Sequence, residues 1–115
     1  MSEQRSILGA VESPLEATPA DAFAAVEAGS AVLIDVREPW EHAQARIPGA
    51  VLIPMGEVPD RLAEIPADRD VYVHCRVGQR SAKVVAYLRE HGRPRTINVA
   101  GGIEAWQDAA LPVTE

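Results

Sequence analysis

The feature that most constrains this chain is a series of short apolar runs, at Ala31-Val32-Leu33-Ile34, Val51-Leu52-Ile53, Val71-Tyr72-Val73 and Thr96-Ile97-Asn98-Val99, separated by segments with helical or turn chemistry. The first is apolar at every position and closes on Asp35, the pattern of a strand covered on both faces. Strands that alternate with helices are joined by right-handed crossovers, so the sheet is mostly parallel and the helices lie on its two faces. Ligand sites in such sheets form at the carboxyl ends of the strands. Asp35, and Cys75 at the end of Val71–Cys75, both fall at such ends and are expected to share one crevice.

The connecting segments carry their own punctuation. Thr18 caps a helix that has Pro19 in its first turn and Ala22, Phe23 and Val26 at helical spacing, and Gly29-Ser30 ends it. Glu38 to Ala45 starts on an acid and a proline and is expected as a short helix, broken by Ile47-Pro48-Gly49-Ala50. Gly56 to Leu62 is expected as a helical turn. Ser81 to His91 places Val84, Val85 and Leu88 on one stripe before Gly92 and Pro94, and Gly101-Gly102 makes a turn into a last helix over Ile103 to Asp108. Residues 1–14 have no clear period and are expected as a loosely held arm, with one domain over 15–115.

Composition excludes several roles. A formal net charge of −6 repels phosphates at long range, which argues against nucleic acid and acidic membrane surfaces as partners. No apolar stretch is long enough for a membrane span and no leader pattern opens the chain, so a cytoplasmic protein is expected. A single cysteine makes no internal disulfide, and with three scattered histidines it makes no metal-ligand spacing, so no metal site is expected.

What remains for Cys75 is inert packing or reactivity. Cys75-Arg76-Val77-Gly78-Gln79-Arg80 is a tight loop between a strand end and a helix start. Gly78 admits a positive φ, so successive backbone N–H groups can turn inward as an anion-binding nest, and the helix adds its positive end. A thiol at the centre of that nest has its pKa lowered and is a nucleophile at neutral pH. A glycine and two arginines have no reason to crowd an inert core thiol.

"HCRVGQRSAKVVAYLREHG", with "LIDVREPWEH" and "RIPGAVLIP" before it and "NVAGGIEAW" after it, resembles the rhodanese-like sulfurtransferases over roughly residues 15 to 113. The resemblance implies a small, mostly parallel five-stranded sheet flanked by helices on both faces, and a free-standing single domain. It implies that the Cys75 thiolate takes the outer sulfur of a donor such as thiosulfate, releasing sulfite, and that an acceptor such as cyanide or a thiol removes that sulfur from the persulfide. No cofactor is implied beyond the persulfide itself. The cradle from Arg76 to Arg80 then holds the transferred sulfur, and Arg76 pairs with the sulfonate of thiosulfate or is a solvated surface arginine.

Arg80 is expected to pair in bidentate fashion with Asp35 or Glu41. Asp35 is taken as architectural, and Arg37 as reaching the mouth of the site or solvated. Two alternatives stay open: a persulfide carrier or regulatory module fed by a partner protein, and a phosphatase or arsenate reductase. Those phosphate-handling relatives place five residues between cysteine and arginine, whereas four separate Cys75 from Arg80 here. Ala45-Arg46 stands where the family usually has Gly-His. His74 is expected in the core or hydrogen-bonded, His42 and His91 on the surface, and Trp40 and Trp106 as core or rim packing, with Trp40 also a candidate wall of the mouth. Glu57, Asp60, Glu64, Asp68 and Asp70 are expected as a solvated face.

Overall fold

A computed structural model describes residues 13–115. Most of the arm expected over 1–14 lies outside the described residues. Its last two residues are tied down, because the Arg89 guanidinium donates to the carbonyls of Ser13 and Pro14.

The elements, in chain order, are β1 (Glu16–Ala17), α1 (Pro19–Glu27), β2 (Ala31–Asp35), α2 (Pro39–Gln44), β3 (Val51–Leu52), two 3-10 turns (Met55–Glu57 and Pro59–Glu64), β4 (Asp70–His74), α3 (Gln79–Glu90), β5 (Thr96–Val99) and α4 (Gly102–Asp108). The five strands pair in the order β1-β5-β4-β2-β3, all parallel, which is the expected fold class. Thr18 caps α1 as its sequence foretells, its Oγ1 accepting from the Asp21 N–H. β1 is the strand that no apolar run announces.

Alternation along each strand divides the core into two layers. Ile34, Val71, Val73 and Cys75 pack on one face with Val84, Val85 and Leu88 of α3. Leu33, Tyr72, Ile97 and Val99 pack on the other with Ala22 of α1 and Ile103 and Trp106 of α4. Trp106 is buried and meets Phe23 edge-on at 5.9 Å between ring centroids, while its indole N–H donates to the Pro112 carbonyl. Trp40 differs from its expected packing role: in the first turn of α2 it is 63% exposed. Among the described residues, no helix is long and apolar enough to cross a membrane.

The expected solvated acidic face is in part an ion-pair network. Arg61 bridges Glu57 and Glu64, and Asp70, half-buried at the start of β4, accepts from Arg95.

Candidate active site

The β4–α3 junction is fixed by close backbone approach. Gly78 precedes α3 with φ +98°, a conformation that a side chain at this position opposes. Behind the loop, α4 delivers its first N–H groups to the loop's carbonyls: Ile103 N donates to Cys75 O at 2.9 Å and Glu104 N to Arg76 O at 3.1 Å. Gly102 makes this docking feasible, because a Cβ there would lie 2.5 Å from both of those oxygens. Gly101-Gly102 is therefore part of the support of the site.

Inside this frame the Cys75 sulfur is ringed by donors. The Gly78 N–H lies 3.2 Å from Sγ, and the Ser81 N–H and Oγ each lie 3.4 Å away. Burial pushes the thiol's pKa up. The Ser81 hydroxyl, with the N–H groups of Ser81, Gly78 and Val77, more than offsets that and leaves it below the ordinary cysteine value. The residue is only 1% exposed, so what reaches the sulfur must be slim.

Arg37, Arg76 and Arg80 each meet a carboxylate. Arg80 makes the bidentate pair with Glu41, at 2.8 and 2.9 Å, and this guanidinium holds the Glu41 carboxyl below its usual range. Asp35, the other candidate partner, is already taken. Its carboxylate receives the Arg37 Nε and Nη2 at 2.8 to 3.2 Å and the Arg37 backbone N–H at 2.9 Å. Arg37 thus neither reaches the mouth nor lies in water. It is buried, and its Nη2 also donates to the Ala45 carbonyl at the end of α2, which locks α2 against β2. Arg76 does point outward, and its guanidinium lies 2.6 Å from the Glu104 carboxylate.

Residues 18–109 match the profile of a family described as the rhodanese-like domain. The chain belongs to that family. It is 48% identical over 82 residues to a protein of Allochromatium vinosum named "Sulfurtransferase", covering 71% of this chain and 77% of that one. It is 44% identical over 80 residues to the "Putative sulfurtransferase YtwF" of Bacillus subtilis, covering 70% and 77% respectively. The fold is shared with a rhodanese-related protein from Thermoplasma volcanium at a TM-score of 0.80 and 29% identity, over 88% of this chain and 98% of the other.

In this rhodanese-like domain two residues of the thiol's environment were not singled out by sequence reasoning. Ser81 is fully buried, and its hydroxyl lies 2.6 Å from Asn98 Oδ1 as well as 3.4 Å from the sulfur. Asn98 on β5 in turn donates from Nδ2 to the Gly78 carbonyl and to Glu16, so it stitches the loop to the sheet. The available signal was a hydroxyl on the apolar stripe of Val84, Val85 and Leu88, where a polar side chain needs a partner.

The histidines divide differently from expectation. His91 is exposed, as expected. His42 is half-buried, with Nδ1 2.9 Å from Asp35 Oδ2, because the first turns of α2 fold over the end of β2. His74 is buried, as expected, and its Nδ1 faces the Cys75 carbonyl at 3.1 Å, so that nitrogen carries the proton. Among the described residues its Nε2 has no hydrogen-bond partner, and it lies 3.8 Å from Asp35 Oδ2. Desolvation pulls the ring's pKa down despite the nearby carboxylate, which leaves it neutral at pH 7.

Proposed function

We propose that this rhodanese-like domain transfers sulfur through a persulfide on Cys75. The observation that carries the reading is the ring of donors from Val77, Gly78 and Ser81 around a thiol whose pKa is lowered in spite of burial. In the first displacement the Cys75 thiolate attacks the outer sulfur of a donor, thiosulfate or an organic persulfide. A bond forms between Sγ and that sulfur, the donor's S–S bond breaks, and the electron pair leaves with sulfite or a thiolate. In the second, cyanide or a thiolate attacks the outer sulfur of the persulfide and the pair returns to Sγ. Two easy displacements replace one difficult transfer.

Between them the anionic outer sulfur sits in the concavity of loop N–H groups from Arg76 to Arg80, which plays the part an oxyanion hole plays for oxygen. Val77 and Gln79 contribute backbone to that concavity, and the Arg80–Glu41 pair fixes its shape. No cofactor enters the reaction as proposed. The four-residue spacing and the 1% exposure of Cys75 favour a single sulfur atom over a tetrahedral phosphate.

The test records intact mass after incubation with thiosulfate or 2-hydroxyethyl persulfide, and thiocyanate formation once cyanide is added, for wild type and Cys75→Ser. The expected wild type gains one sulfur atom and makes thiocyanate, and Cys75→Ser does neither. Failure of both donors to load the wild type sinks the reading. Loading without turnover would recast the chain as a carrier that passes its sulfur to a partner protein.

A further inference from the structure

Each arginine that the motifs offer to an anionic donor is already matched by a carboxylate. Arg37 is spent on Asp35 and Arg80 on Glu41, both in bidentate geometry. The third, Arg76, follows Cys75 directly in the chain and is paired with Glu104. Charge at the loop therefore sums to no surplus of cation, on a chain whose net charge is −6.

Glu104 is a fixture of this rim, because its own backbone N–H is bonded to the Arg76 carbonyl at 3.1 Å. Both side chains of the pair are more than half exposed, so the contact itself is weak and a donor can displace it. The carboxylate stays nearby after displacement.

We infer that Glu104 is a specificity-determining residue that turns the site from dianionic donors such as thiosulfate toward organic persulfides, whose leaving group carries a single charge. The inference rests on the Cys75 persulfide reading. With an organic persulfide R–S–SH, the Cys75 thiolate bonds to the terminal sulfur and the donor's S–S bond breaks. The electron pair leaves on R–S⁻, and the proton stays with the transferred sulfur. The group expelled past Glu104 is then one thiolate in place of a sulfite dianion. A dianion held about 6 Å from a carboxylate in a water-like dielectric is disfavoured by roughly tenfold.

The experiment measures kcat/KM for loading Cys75 from thiosulfate and from 2-hydroxyethyl persulfide, in wild type and Glu104→Gln. The glutamine keeps an oxygen to accept from Arg76, so the rim retains its shape while losing the charge. The expected variant gains roughly tenfold with thiosulfate and at most about threefold with the persulfide. An unchanged ratio between the two donors overturns the inference while leaving the persulfide reading intact. If neither donor loads the wild type, the persulfide reading itself fails and this one with it. A third arm, albumin carrying a cysteine persulfide, separates the sources: faster loading from albumin than from 2-hydroxyethyl persulfide assigns a protein donor, and the reverse order a small thiol.

Discussion

Ser81→Ala tests the electrostatics of the thiol most directly. The hydroxyl stands 3.4 Å from Cys75 Sγ and 2.6 Å from Asn98 Oδ1, and it has one proton to give. With the thiol protonated, the shorter contact to Asn98 takes that proton. With the thiolate formed, rotation of the hydroxyl toward sulfur stabilises the negative charge. Removing this donor disfavours the charged form, so the cysteine pKa rises. A hydrogen bond to a charged acceptor is worth about 1.5–3 kcal/mol, and a long contact to sulfur that competes with an amide falls at the low end. That corresponds to a rise of about one pKa unit, and to a roughly tenfold smaller thiolate fraction below the pKa.

The backbone donors, Gly78 N–H at 3.2 Å, Ser81 N–H at 3.4 Å and the Val77 N–H, survive the substitution, so the thiol keeps part of its depression. Asn98 Oδ1 loses its partner inside the protein, at a stability cost of about 1–3 kcal/mol. The assay is the pH dependence of Cys75 alkylation by iodoacetamide, run beside urea unfolding of both proteins. A pKa that stays put or falls while stability drops would refute the reasoning. The hydroxyl proton would then belong to Asn98 in both states, and backbone N–H groups alone would account for the low thiol pKa.

Two further outcomes follow from the same geometry. Gly102→Ala, at φ +61° with a Cβ 2.5 Å from the Cys75 and Arg76 carbonyl oxygens, should lower the urea midpoint by an amount worth about 2–5 kcal/mol and slow alkylation of Cys75; a variant with wild-type midpoint and reactivity would sink this account of α4 docking. His74 has its folded pKa below its unfolded value, so the unfolded chain binds more protons in that window and stability is lost as pH falls from about 6.5 toward the folded value. Urea unfolding between pH 7.5 and 5.5 should therefore show a steeper loss for wild type than for His74→Gln, and parallel losses would remove His74 as the cause.

What could be read from the chain alone was what local chemistry decides. Ala31 to Asp35 has no wet face whatever surrounds it, and Thr18-Pro19 caps a helix by its own side chain and ring, so both elements stand where their residues put them. β1 is two residues long and exists only because Glu16 and Ala17 find Asn98 and Val99 some 80 residues later, a pairing that no local period encodes. The choice between Asp35 and Glu41 for Arg80 was open for the same reason. Both acids precede the loop, and the decision belongs to Arg37, which lies two residues from Asp35 and reaches it first with a guanidinium turned inward.

Ser81 and Asn98 show a different limit. The sequence of the loop predicts a cradle of backbone N–H groups ending at Arg80, yet the nearest side-chain donor to the sulfur comes one residue later, from the first turn of α3. Positions 81, 84, 85 and 88 form a single i, i+3, i+4, i+7 stripe, so a serine that starts a row of two valines and a leucine must be buried with them. Asn98 stands likewise between Ile97 and Val99 in a strand buried throughout. A buried hydroxyl and a buried amide are stable only as each other's partners or as partners of the loop, and here they are both. A polar residue on a stripe that packing alone would make apolar is therefore a signal of the site in its own right, and it points to the thiol from the two elements, α3 and β5, that flank it.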